Sequence, residues 1–298
     1  MRYPLLGYQL LKETESIPTM ITESQQKQKP VYVLGHSDEE LQRLIRQARF
    51  FGDLTEQVFL NAGVQSGMRV LDVGCGVGDV SFLLARMVGP SGSVLGIDKS
   101  PEAIIGARDR AQAAGLKNVT FLKGDIEDIS LEYSIDAAVG RLILLYLADP
   151  AQMLRRIAEK VKTGGIIAFQ DMDMSNIRSL PRIALFQQCA EWIVETFRRG
   201  GVETQMGLKL FQTFIAAGLP APQMILGARV EGGPNSAGYE YFTDIMRSLL
   251  PMMERLAVVS AEEVQIATLA ERLRDKVTAG GGVIVLPSLV GAWTTKRD

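Results

Sequence analysis

Three glycines at alternate positions, Gly74, Gly76 and Gly78, follow Asp72 in the run Val70-Leu-Asp-Val-Gly-Cys-Gly-Val-Gly-Asp79. Glycine lets a chain turn tightly and lets a ligand approach the backbone, and a helix starting after such a turn offers free N–H groups to that ligand. The spacing is not that of a dinucleotide site, because G-x-G-x-x-G would put its third glycine where Asp79 stands. No Lys-Ser or Lys-Thr pair follows to make a phosphate loop. A carboxylate at Asp72 repels a pyrophosphate and suits an ammonium. Asp98 lies twenty residues after Gly78, where its carboxylate can accept from both hydroxyls of a ribose, with Lys99 beside it. In Gly124-Asp125-Ile126 a third acid can accept from an adenine amino group while Ile126 packs on the ring. Each acid alone also suits capping of the next helix; three of them around one glycine turn are harder to obtain by capping alone.

The elements that must position these residues are short apolar strands at about 69–73, 93–98, 119–125, 135–140 and 166–170. They alternate with helices at about 79–88, 101–114 and 150–161. This rhythm predicts an α/β, doubly wound, mostly parallel sheet with helices on both faces, and such sheets bind ligands at the C-terminal ends of their strands. Beyond Asp173 the pattern predicts helices at 180–199 and 203–217, a strand at 223–231, helices at 237–257 and 260–279, and a last strand after Pro287. Pro251 is expected to kink or break its helix. After a polar connector over 13–30 that ends at Pro30, Ser37 and Glu40 read as a capping box. A helix to Phe51 and a second over 54–61 follow.

Composition narrows the function. The chain has 298 residues, 47% of them hydrophobic, enough for one large core with an appended lid. Its net charge of −2 and scattered Lys and Arg argue against a nucleic-acid partner. Two cysteines and one histidine imply neither a disulfide framework nor a zinc site, so no metal is expected and a reducing, cytoplasmic setting fits. No apolar run approaches the ~20 residues of a membrane span.

Residues 64–171 resemble the class I S-adenosylmethionine-dependent methyltransferase family, and within it the small-molecule enzymes of the ubiquinone- and menaquinone-biosynthesis type. The resemblance implies S-adenosylmethionine as cofactor. Asp72, Gly74, Cys75, Gly76 and Gly78 would surround its methionine part, Asp98 and Lys99 its ribose, and Gly124, Asp125 and Ile126 its adenine. Arg141 would contact the cofactor and face the substrate. The family's fold makes the sheet seven-stranded, with the last two strands as an antiparallel pair.

Methyl transfer from a sulfonium is an in-line displacement in which the protein mainly positions the acceptor and excludes water. A base is needed only for a poorly nucleophilic acceptor. The candidates are Tyr146, Asp171 with its neighbour Asp173, and His36, against core, capping and surface roles respectively. Tyr239, Phe242, Met246, Leu249, Met253 and Leu256 form one apolar stripe. The stripe is either plain core or, with Trp192 and Phe197, the lining of a substrate pocket. Strand four lacks the Asn/Asp-Pro-Pro-aromatic run of enzymes that methylate adenine or glutamine amino groups. The expected division is residues 1–62 as an N-terminal extension and helical cover, and 63–298 as the core, with caps at 175–200 and 237–279. The expected acceptor is an apolar or amphipathic small molecule, and a homo-oligomer is compatible with the sequence. The rivals are a protein or RNA methyltransferase and a non-catalytic S-adenosylmethionine-binding regulator.

Overall fold

The structure, a computed structural model, describes residues 38–125 and 134–297. The chain opens with α1 (Asp38–Ala62), then β1 (Arg69–Val73), α2 (Asp79–Val88), β2 (Ser93–Asp98), α3 (Pro101–Ala113), β3 (Val119–Lys123) and β4 (Ile135–Arg141). A 3-10 turn (Leu144–Tyr146), α4 (Pro150–Lys160) and β5 (Val161–Asp173) follow. The remainder is β6 (Arg178–Leu180), α5 (Ala184–Arg199), α6 (Met206–Ala216), β7 (Gln223–Gly227), β8 (Val230–Gly232), α7 (Gly238–Arg255), α8 (Ala261–Val264), α9 (Leu269–Ala279), β9 (Val283–Val285) and β10 (Ser288–Thr295).

Seven strands form one sheet in the order β3-β2-β1-β4-β5-β10-β7, parallel from β3 to β5. The added β10 runs antiparallel to both β5 and β7. The strand order reverses between β1 and β4, and the crevice at that switch point is where open sheets of this type hold ligands. The inner strands are near-continuous apolar runs because helices cover both faces, as Ala137, Ala138 and Val139 in β4 show by having no exposed surface. Helices α3 and α4 start at side-chain caps. Ser100 accepts from Ala103 N and Asp149 from Gln152 N, and proline follows at the first helical position in both.

The structure departs from the sequence reading in five places. The two helices expected upstream of β1 are one, α1, running through Gly52. One glycine costs a helix only about 1 kcal/mol, and burial of Phe51, Thr55, Val58 and Phe59 outweighs it. Strand β5 extends in both directions beyond 166–170: β10 pairs along it from Ile166 to Asp173, and Val161 at its start pairs with Ile135 of β4. Helix α7 continues past Pro251, held by the buried Leu249, Met252 and Met253 on either side. The helix expected over 260–279 breaks at Gln265, whose φ is +50°. The strand expected over 223–231 is two, β7 in the large sheet and β8 in a second sheet, β6-β9-β8, whose three-residue strands are too short to show a period. The capping box at Ser37 lies outside the described residues.

Helix α1 lies against β5, β10 and α7. Its closest approach to the sheet needs glycine: a Cβ on Gly291 would overlap Val58. Replacing Gly291 by Val is therefore expected to cost about 1–3 kcal/mol by overpacking, seen as a lower urea midpoint with unchanged slope; an unchanged midpoint would show that α1 does not pack here.

Candidate functional site

The turn after β1 is built from three glycines, all with left-handed φ: Gly74 at 68°, Gly76 at 52° and Gly78 at 89°. They differ in what surrounds them. A Cβ on Gly74 would meet Ile143 at 2.7 Å, and one on Gly78 would meet Phe82 at 2.8 Å, so both are packed positions. A Cβ on Gly76 would meet nothing within 4 Å. The middle glycine thus faces open space, the cradle a ligand needs.

Strand β2 holds this turn from the side. Gly74 N and Cys75 N both donate to Ile97 O, at 2.8 and 3.0 Å. Gly76 N donates to Asp98 Oδ2 at 2.8 Å and Ser100 N to Asp98 Oδ1 at 2.9 Å. Each carboxylate oxygen keeps further acceptor capacity for a hydroxyl. From α3, Arg110 donates to Val77 O and to Asp79 Oδ1, each at 2.6 Å, and so ties the far side of the turn. At the end of β3, Gly124 N donates to Asp98 O at 2.9 Å, and Asp125 pairs with Lys99 at 2.6 Å. These predicted residues converge on the C-terminal ends of β1, β2 and β3. Ile126 and His36 lie outside the described residues.

Asp72 sits beneath the turn, 1% exposed, and accepts from Ser81 Oγ at 2.5 Å. Burial pushes its carboxyl up to about 7, against the Ser81 hydrogen bond and the Arg141 charge, which favour the ionised form. Cys75 is buried in the same turn, which raises its thiol pKa and leaves it protonated.

Strand β4 ends in strain. Leu142 has φ +57°, a left-handed conformation that costs a branched residue of order 1–3 kcal/mol. Its N–H donates to Gln170 O at 2.8 Å. Ile143, one residue on, seals Gly74. Arg141 Nη1 donates to Thr55 Oγ1 at 3.2 Å, and Thr55 Oγ1 donates to Gln170 Oε1 at 2.8 Å. Burial lowers the Arg141 pKa, opposed first by Asp79 and then by Asp72. Thr55, Ser81, Arg110 and Gln170 carried no motif in the sequence; they join the site only through tertiary contacts.

The catalytic candidates differ in environment. Asp171 has no exposed surface; Leu144 N donates to its Oδ2 at 3.2 Å and its Oδ1 has no partner. Burial pushes its carboxyl up to about 8. Asp173 caps the turn after β5, accepting from Ser175 N, Ser175 Oγ and Asn176 Nδ2. Tyr146 lies half-buried in the 3-10 turn, against the core. Of the pocket candidates, Tyr239, Phe242, Met246 and Met253 have no exposed surface and stand in the core, the packing alternative that their spacing allowed; Trp192 is half-buried. Among the described residues no cluster of acids, His and Cys is placed to hold a metal ion, and no helix is long and apolar enough to cross a membrane.

Strand order, antiparallel β10 and an acid-flanked glycine turn at the switch point are the features expected from the resemblance to class I S-adenosylmethionine-dependent methyltransferases. Comparison with known proteins agrees. Residues 64–206, just under half the chain, match the family described as "Methyltransferase domain". The chain is 39% identical over 105 residues to the aklanonic acid methyltransferase DauC of a Streptomyces species (strain C5), covering 35% of this chain and 48% of that protein. It is 34% identical over 115 residues to the demethylmenaquinone methyltransferase of Listeria welshimeri, covering 38% and 49%. The chain spans about half the length of these curated relatives. The crystal structure of the YcgJ protein from Bacillus subtilis shares the fold, with a TM-score of 0.53 at 19% identity over 82% of this chain and 98% of that one. Residues 64–206 are thus similar to the methyltransferase domain family.

The raised Asp171 pKa has a consequence for stability. Its carboxyl titrates near 3.8 when unfolded and near 8 when folded, so its contribution is full below pH ~4 and is lost as pH rises through ~8. Asp171→Asn, which can still accept from Leu144 N, is expected to gain stability relative to the parent between pH 5 and pH 8 in urea unfolding. A difference independent of pH would contradict the assignment.

Proposed function

We propose that this protein transfers the methyl group of S-adenosylmethionine to an apolar or amphipathic small molecule, at oxygen, carbon or nitrogen. The observation that carries the reading is the open space at Gly76, bracketed by Asp98 from β2 and Asp72 below. Bound S-adenosylmethionine supplies a methyl group already activated by its positive sulfur, so the protein's task is to bind, orient and exclude water.

The residues present suit that donor. Asp72 faces its ammonium, with Gly74, Cys75, Gly76 and Gly78 lending backbone around the methionine part. Asp98 accepts from the ribose hydroxyls. Gly124, Asp125 and Ile126 border the adenine, and Lys99 stands beside Asp98 at the ribose. Arg141, held by Thr55, stands between the donor and the acceptor. Asp171 is protonated at neutral pH and acts chiefly by holding the turn that carries Tyr146, which is left to orient the acceptor; His36 is the candidate from the N-terminal segment. The described part of the N-terminal extension, α1, covers a core over 63–298 with caps at 175–200 and 237–279; residues 1–37 lie outside the described residues. Trp192 is the pocket candidate that keeps exposed surface. The relatives named for aklanonic acid and demethylmenaquinone support a small organic acceptor, and the balanced charge supports a cytoplasmic enzyme without a nucleic-acid partner.

Incubating the protein with a metabolite extract and methyl-labelled S-adenosylmethionine is expected to place the label in small molecules. Label appearing only in protein or RNA, or nowhere, refutes the reading. Asp98→Ala is expected to weaken donor binding by about 1.5–3 kcal/mol, the scale of hydrogen bonds to a charged group; an unchanged affinity would remove Asp98 from the ribose site. The sign of the pH dependence follows from Asp72. An ammonium favours its ionised form, so binding releases a proton from a group near 7. Affinity should therefore rise from about pH 6 to about pH 8 in the parent and stay flatter in Asp72→Asn. A parent without that rise places the ammonium elsewhere.

A further inference from the structure

Arg141 ends β4 at the switch point, beside the donor cradle. Two other cations at the cradle are paired, Arg110 with Asp79 and Lys99 with Asp125, each at 2.6 Å. A guanidinium has five N–H donors. Among the described residues Arg141 uses one, donating from Nη1 to Thr55 Oγ1 at 3.2 Å, and forms no ion pair. Burial disfavours its charged form, while Asp79 and Asp72 favour it from beyond ion-pair distance.

Neutral groups orient Arg141 without spending its charge. Thr55 Oγ1 accepts from it and donates onward to Gln170 Oε1 at 2.8 Å. Gln170 O accepts from Leu142 N at 2.8 Å, so the guanidinium, α1 and β5 are tied through uncharged atoms. A cation fixed in this way is preorganised for an anion. The wall beside it is aromatic. Tyr241 of α7, within electrostatic reach of Arg141, stacks on Phe50 at 4.6 Å and meets Phe51 edge-on at 5.4 Å. The place suits a negative head on an apolar body.

Charge balance leads to the same class of ligand. On the methyl-transfer reading, Asp72 answers the donor's ammonium, and Asp79 already answers Arg110. The sulfonium then adds a second positive charge to the crevice. Desolvating a cation without a counter-charge costs several kcal/mol. A neutral acceptor would leave that cost standing, and an anion would offset it.

We propose that the methyl acceptor is an oxygen acid, a carboxylic acid or an acidic phenol or enol, bound as its anion against Arg141. The inference rests on the methyl-transfer reading and narrows its acceptor atom to oxygen. The acceptor's proton goes to water before binding. A lone pair of its oxygen forms the new C–O bond while the S–C bonding pair stays on sulfur. No base is required of the chain. Anion and sulfonium become a neutral ester or ether and a neutral thioether, so the product has no charge to hold it at Arg141.

A metabolite extract split on anion-exchange resin supplies the probes. Carboxylic acids are retained at about pH 6, phenols and enols only at about pH 11, and neutral and cationic compounds at neither. With methyl-labelled S-adenosylmethionine, label should enter a retained fraction, as esters that base cleaves to methanol or as base-stable ethers. Arg141→Gln should lower kcat/KM for that fraction by about 10–100-fold, the scale of a hydrogen bond to a charged group, and Arg141→Lys should recover part of it. A second readout needs no turnover and no variant. Phenylglyoxal modification of Arg141, mapped by peptide mass in the presence of S-adenosylhomocysteine, should be slowed by the fraction that takes label and not by the unretained one. Label on nitrogen or carbon, or only in the unretained fraction, overturns this inference and leaves methyl transfer standing; label nowhere overturns both. An Arg141→Gln protein as active as the parent, or equal modification of Arg141 with either fraction, also overturns it.

Discussion

The carboxylate of Asp98 is the point on which the site depends. One oxygen accepts from Gly76 N in the turn after β1 and the other from Ser100 N at the head of α3. It thereby joins two strands, a helix start and the ligand cradle through one side chain. The turn can be so held because its glycines reach left-handed φ, and because Gly76 alone of the three faces no packed neighbour. A hydrogen bond between a charged oxygen and a backbone N–H is stronger than a neutral one. The acid that would receive the ribose therefore also shapes the loop that receives the rest of the ligand.

A second constraint couples the cradle to its cover. Half-buried Arg141 takes Thr55 of α1 as a partner, which donates onward to Gln170 of β5. Beside it, Phe50 of α1 stacks on Tyr241 of α7 at 4.6 Å, and Arg229 donates to Phe50 O at 2.9 Å. The strained Leu142 turns the chain so that Arg141 reaches α1 while Ile143 seals Gly74. Strain of this kind persists where surrounding contacts over-determine it. Here the contacts come from the sheet, the glycine turn and the helical cover together.

What was legible in the sequence was whatever local chemistry announces. The glycine turn, the acids at 72, 98 and 125 and the parallel strands all follow from residue type and spacing. What was not legible depends on distant partners. Thr55 is an ordinary helix threonine until Gln170 and Arg141 stand beside it. Ser81 matters only because α2 folds over Asp72. The β6-β9-β8 sheet draws strands from three separated segments, each too short to show a period. The stripe from Tyr239 to Met253 had a period but two meanings, and the structure stands it in the core between α5, α1 and α9.

The central claim is that the glycine turn and its acids bind S-adenosylmethionine and not another nucleotide. Calorimetric titration of the full-length protein with S-adenosylmethionine, NAD and ATP in parallel tests this most directly. Saturable binding of one S-adenosylmethionine per chain, with no comparable heat from the other two, is the predicted result. Binding of NAD or ATP as tight as that of S-adenosylmethionine, or no S-adenosylmethionine binding, would contradict it.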